Sequence, residues 1–159
     1  MKENVVEQTS GNSHNRIVIL GAGVAGLRIA KKLQNILDNR WDIVLIDEND
    51  YHQYLYKIHE VCNVDYDEKD IIVPLEKLLD NKRVLFKKTS VVSIDTESNV
   101  VLKSSSKEPY DIVVIALCSH SAYYNIQGIE KNGFTLANYE KAKKIRERIN
   151  ELFNIAQDN

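Results

Sequence analysis

Gly21, Gly23 and Gly26 stand in the pattern Gly-x-Gly-x-x-Gly, and Asp47 follows 21 positions after the last of them. That spacing suits phosphate chemistry. The first glycine permits a tight turn, the second lets the backbone approach a pyrophosphate, and the third lets a helix pack closely on a strand. Ala22, Val24 and Ala25 complete the loop. Where a helix begins there, free backbone N–H groups and a partial positive charge face an anion. The Asp47 carboxylate can accept hydrogen bonds from both hydroxyls of an adenosine ribose, and Glu48 adds negative charge that would repel a 2′-phosphate. A P-loop is excluded, because no Gly-Lys-Ser/Thr follows the glycines. The plain alternative is a glycine-rich turn beside a solvated acid.

The flanking elements favour the nucleotide reading. Ile17–Leu20 is a continuous apolar run, as in a strand buried on both faces of a parallel sheet. Leu27, Ala30, Leu33 and Leu37 recur at helical spacing up to about Asp38, where Asn39 can cap the end. A second apolar run, Ile43–Ile46, stops at Asp47. Strand, helix and strand within about 30 residues make a βαβ unit. Further strands are expected at Val84–Phe86, Val91–Asp95, Val100–Lys103 and Ile112–Leu117, with Lys103–Pro109 as a polar turn. A short helix with Pro74 in its first turn carries Leu75, Leu78 and Leu79 on one face. From Asn138, the residues Ala142, Ile145, Ile149, Leu152, Phe153 and Ala156 mark a long amphipathic helix whose stripe is expected to pack on its own sheet.

Other reactive side chains are less organised. His52, His59, Cys62, Cys118 and His120 are metal-capable, yet no tight Cys or His pair opens a zinc pattern, so no metal site is expected. Cys118 and His120, two apart at a strand end, could share a face as a nucleophile pair; burial or mere proximity to a cofactor is the simpler account. Tyr51, Tyr54 and Tyr56 either stack on the ring of a bound cofactor or cover the sheet edge. No residue is singled out as catalytic.

Composition bounds the rest. The chain has 159 residues, 43% hydrophobic and 28% charged, with a formal net charge of −2. This length suits one core, and the charge balance argues against binding nucleic acid. No run approaches the roughly 20 apolar residues of a membrane span. Residues 1–15 are polar and read as a disordered leader, with residues 16–159 forming the domain. Two cysteines do not make a secreted disulfide scaffold, so a cytoplasmic location is expected.

The runs Ile17-Val-Ile-Leu-Gly-Ala-Gly-Val-Ala-Gly-Leu27, Val44-Leu-Ile-Asp-Glu-Asn-Asp-Tyr-His52, Tyr110-Asp-Ile-Val-Val-Ile-Ala-Leu117 and Gly133-Phe-Thr-Leu136 resemble the two-dinucleotide flavoproteins of the pyridine nucleotide-disulfide oxidoreductase superfamily. The likeness is greatest to type II NADH dehydrogenases and sulfide:quinone oxidoreductases. It implies an α/β fold: a Rossmann-like FAD/NAD(P)-binding domain with a parallel sheet, a small β meander formed by Val84–Asp95 and Val100–Lys103, and a C-terminal amphipathic helix. It implies FAD as cofactor, with NAD as the alternative and NADH a co-substrate only of a complete enzyme. The glycine loop would take the pyrophosphate, Asp47 the ribose, the backbone near Val91 the adenine, and Ala116 would lie beside the cofactor. Cys118 replaces a family glycine, Tyr56 a frequent proline, and Ala137 stands where sulfide:quinone oxidoreductases place a reactive cysteine, which disfavours sulfide chemistry. The family continues into an NADH-binding domain and a quinone-facing, membrane-peripheral tail. The chain is therefore expected to be an FAD-binding portion of an NADH:quinone oxidoreductase, incomplete as an enzyme, whose open sheet edge meets the missing half or a second copy. The alternatives are a dinucleotide-binding module without turnover and an NAD-binding sensor.

Overall fold

A computed structural model describes residues 15–63, 65–79, 83–104, 106–119 and 121–157. The expected leader lies outside the described residues except for Asn15, which already belongs to the first strand. Strand β1 (Asn15–Leu20) leads through the glycine loop into helix α1 (Val24–Ile36) and back to β2 (Trp41–Asp47). The next elements are β3 (Tyr51–Gln53), a 3-10 helix (Leu55–Cys62), α2 (Glu68–Ile71), β4 (Ile72–Pro74) and α3 (Leu75–Leu78). Then follow β5 (Val84–Lys88), β6 (Val91–Asp95), β7 (Val100–Lys103), β8 (Lys107–Pro109), β9 (Ile112–Ile115), α4 (Ile129–Asn132) and α5 (Tyr139–Gln157).

Four strands form a parallel sheet in the order β5-β2-β1-β9. Alternation of side chains divides the sheet into two cores. On one face Ile17, Ile19, Ile43, Leu45 and Val84 pack against Leu27 and Ala30 of α1 and Leu75 of α3. On the other, Val18, Leu20, Val44 and Ile46 are covered by Val101 and Tyr110. Because helix and meander cover opposite faces, β1 and β2 read as unbroken apolar runs.

Two expected assignments are corrected. Val84–Lys88 belongs to the parallel sheet, in register with Ile43–Asp47, rather than to the meander. The antiparallel meander is β6-β7-β8, and its third strand lies inside the stretch expected to be a polar turn. That strand hides its role because its inward residue is charged. Glu108 is only 2% exposed and accepts from Lys87 Nζ and Lys103 Nζ at 2.7 Å each, and from Arg16 at 3.3 Å. Arg16 continues to Asp42 at 3.1 Å. Burial alone would push the Glu108 carboxyl up, but the bonds from Lys103 and Lys87 together outweigh it and hold the group below its ordinary range.

Helix α1 ends at Ile36, and its closing carbonyls are not served by Asn39. Arg83 instead donates to the carbonyls of Gln34 and Leu37 at 2.7 Å and of Asp38 at 2.8 Å. A cation at a helix C-terminus also suits the helix dipole.

Helix α5 departs from expectation too. Asn138 Oδ1 accepts from Lys141 N and Gln53 Oε1 from Tyr139 N, so both cap the helix start. Tyr139 and Ala142 then join Ile58, Val61 and Ile71 in a third cluster, on the 3-10 helix and α2 rather than on the sheet. Beyond that contact Ile149, Leu152 and Phe153 are exposed, so the apolar stripe runs off the body of the domain.

Candidate functional site

The glycine loop sits at the C-terminal edge of the sheet, where β1 passes into α1. Its glycines do different work. Gly21 has φ +96°, and a methyl group there would come within 2.4 Å of the Ala116 carbonyl oxygen. A methyl group on Gly26 would meet the Gly21 carbonyl oxygen at 1.8 Å. These two glycines are required by the fold itself. Gly23 is not. Its φ is −66°, and among the described residues an added methyl carbon would touch only the Cys118 sulfur, at an ordinary 3.9 Å. The described residues thus supply no steric reason for glycine at position 23.

The same position is the N-cap of α1, with no side-chain cap and no acid in the first turn. The Leu27 N–H bonds the Gly23 carbonyl at 3.0 Å, the first bond of the helix. The N–H groups of Val24, Ala25 and Gly26 precede it and have no intrahelical partner. Val24 and Ala25 are exposed. A 13-residue helix therefore presents an uncapped, positively polarised end at the loop mouth.

Asp47 closes one side. Its Oδ2 accepts from Ala22 N at 2.6 Å and its Oδ1 from Asn49 N at 2.8 Å. Asn49 Nδ2 adds a long contact to the same Oδ1 at 3.4 Å; of the carboxylate's about four acceptor positions, one is left free for a ribose hydroxyl. Glu48, next along the chain, is exposed. Thr89 N donates to the Asp47 carbonyl at 2.9 Å, which brings the start of β6 and hence Val91 to the same edge. Ala116 N donates to Leu20 O at 2.8 Å and forms the floor against Gly21 and Gly26. Gly21 to Gly26, Asp47, Glu48 and Ala116 thus share one edge, with Val91 three residues past the end of β5, which borders it.

Sequence reasoning missed one participant. His52 is 5% exposed, and its Nδ1 bonds the Ala22 carbonyl at 3.1 Å. Its ring packs edge-on against Tyr54, with centroids 5.2 Å apart. A lone histidine 30 positions from its partner leaves no mark in spacing or periodicity. The tyrosines divide: Tyr51 meets Tyr139 edge-on at 6.5 Å, whereas Tyr56 is 71% exposed. Cys118 is a free, exposed thiol beside Gly23; its expected partner His120 lies outside the described residues. Among the described residues no group of three His, Cys, Asp or Glu side chains is placed to hold a metal ion. None of the described helices is long and apolar enough to cross a membrane.

Residues 15–155 match the family model for pyridine nucleotide-disulphide oxidoreductases. The chain belongs to that family. Among its relatives is the type II NADH:quinone oxidoreductase of Staphylococcus haemolyticus, 33% identical over 139 residues, which cover 87% of this chain and 35% of that protein. The Staphylococcus aureus enzyme of the same name is 30% identical over the same shares. The sulfide:quinone oxidoreductase of Aquifex aeolicus superposes with a TM-score of 0.78 at 28% identity, over 88% of this chain and 32% of that one. The NDH2 of Plasmodium falciparum, solved with NADH, gives 0.82 at 19% identity over 91% and 30%, a likeness of fold alone. The chain spans about a third of the length of these relatives. Membership of this family implies binding of a flavin or nicotinamide dinucleotide.

Proposed function

We propose that residues 16–159 form one domain that binds FAD, as the FAD-binding portion of a flavin-dependent NADH:quinone oxidoreductase. One observation carries the reading: Gly23 is a glycine that packing among the described residues does not require, at a helix end with no side-chain cap. A dinucleotide supplies the missing reason. Its pyrophosphate fits the place a Cβ would fill, and its charge suits the free N–H groups of Val24 and Ala25. Asp47 would accept from the adenosine ribose while still tying down Ala22 N. With Glu48 it would disfavour a 2′-phosphate. The backbone near Val91 would border the adenine, and Ala116 would hold the loop at its height.

The bound flavin would take hydride from NADH and pass electrons to a quinone; this chain's residues bind and orient it. NADH and quinone would be met by the remainder of a family member, which would lie peripherally on the cytoplasmic membrane face. Strand β9 pairs only with β1 among the described strands, and Ile112 and Ile115 on it are exposed. That edge would receive the remaining part of such an enzyme or a second copy.

The visible spectrum of the purified chain, before and after incubation with FAD and gel filtration, tests the proposal. Retained flavin bands at a stoichiometry near one support it. A colourless chain that binds NADH and not FAD would favour the NAD-binding module instead.

A further inference from the structure

Both peptide planes of the loop are pinned. A trans peptide is planar, with its C=O and N–H pointing in opposite directions. In the Gly21–Ala22 peptide the carbonyl faces Gly26 of α1 and the N–H donates to Asp47 Oδ2. In the Ala22–Gly23 peptide the carbonyl faces His52 Nδ1, so the Gly23 N–H points away from His52. The carbonyl can only accept, so Nδ1 must carry a hydrogen. His52 itself is fixed, because β3 pairs with β4 at His52 opposite Val73 and Tyr54 flanks the ring.

We propose that His52 is a positioning residue for the phosphate of the bound nucleotide, an inference that rests on the dinucleotide reading above. By holding the Ala22 carbonyl inward, it keeps the Gly23 N–H outward, toward the anion. Ala22 is 3% exposed, so losing the His52 bond would leave a buried carbonyl without a partner. Such a group costs free energy until it finds one. Turning the Ala22–Gly23 peptide over would relieve it. Glycine at 23 makes that turn easy, because it accepts positive φ without penalty. The turned peptide would present a carbonyl oxygen where the phosphate expects a donor, replacing attraction by repulsion. Gly23 thus makes room for the phosphate and also makes the loop liable to flip; His52 suppresses the flip.

The test uses the full chain and three probes: FAD, ADP and adenosine, which lacks phosphate. His52→Phe keeps a ring but removes the donor; His52→Asn places Nδ2 where Nδ1 stood. His52→Phe should weaken FAD and ADP tenfold or more and leave adenosine unchanged in NMR titrations, while His52→Asn restores most of the loss. Equal weakening of all three probes, or no weakening, would overturn the proposal. Where His52→Phe does not fold, the ring tautomer in the unmutated chain decides. Long-range 1H–15N spectra should show hydrogen on Nδ1, and hydrogen on Nε2 with a bare Nδ1 overturns the His52–Ala22 bond. An unmutated chain that binds neither FAD nor ADP would sink the function proposed above. The tautomer measurement would then still stand or fall by itself.

Discussion

Replacing Gly23 by alanine separates binding from folding more cleanly than any other change in the loop. Among the described residues the added carbon meets only the Cys118 sulfur, at 3.9 Å, and the backbone keeps its φ of −66°. Alanine is a poorer N-cap than glycine by roughly 0.5–1 kcal/mol. It also restricts the unfolded chain, which offsets about 0.4–1 kcal/mol. The two nearly cancel, so Tm should move by no more than about 3 °C for a chain of this size. Binding has no such compensation. A methyl group in the phosphate path displaces at least one charge-assisted hydrogen bond, each about 1.5–3 kcal/mol, so the Kd for FAD should rise about 10- to 150-fold. Gly21→Ala is the control. There the methyl would sit 2.4 Å from the Ala116 carbonyl oxygen at φ +96°, so folding should lose roughly 2–5 kcal/mol. Calorimetric titration beside thermal melts reads both quantities. Gly23→Ala that binds FAD like the unmutated chain, or that melts as early as Gly21→Ala, would refute the reasoning.

Three further changes have defined outcomes. Asp47→Asn keeps an acceptor for Ala22 N but loses the carboxylate, so FAD affinity should fall about 5- to 100-fold; a 2′,3′-dideoxyadenosine analogue, which lacks the hydroxyls, should lose nothing in the same titration. Arg83→Met strips three carbonyl contacts from the end of α1; the urea midpoint should fall by an amount equivalent to about 1–3 kcal/mol, with an unchanged slope. Glu108 has a folded-state pKa below its ordinary 4.5, so its contribution is complete above that value and is lost as pH falls through the lower, folded one. Glu108→Gln should flatten that part of the acid-unfolding curve. It should also cost about 3 kcal/mol at pH 7, because Lys87, Lys103 and Arg16 would be left around a neutral group.

What the sequence made legible follows from burial and locality. Strands β1 and β2 are covered on both faces, so Ile17–Leu20 and Ile43–Ile46 announce themselves as apolar runs. The glycine loop and Asp47 stand at a spacing with a steric meaning, and the fold brings them to one edge. Strand β5 misled because Val84 and Phe86 serve the helix-covered core while Leu85 and Lys87, alternating with them, face the other side. Strand β8 was hidden because its one buried residue is a glutamate, neutralised by cations 5, 21 and 92 positions away. His52 and Arg83 bond backbone carbonyls at a distance, and a carbonyl has the same identity at every residue, so no pattern of side chains could reveal the match. The stripe on α5 was correctly amphipathic, yet among the described residues Tyr139 and Ala142 of its first turn join a buried cluster while Ile149, Leu152 and Phe153 are exposed.

The central claim is that the Gly21–Gly26 loop holds the pyrophosphate of FAD. A crystal structure of the chain with FAD tests it most directly. The account predicts pyrophosphate oxygens within hydrogen-bonding distance of the Gly23 and Val24 N–H groups, and a ribose hydroxyl on the Asp47 carboxylate. FAD bound elsewhere on the chain, or bound with its phosphates away from the α1 N-terminus, would contradict it.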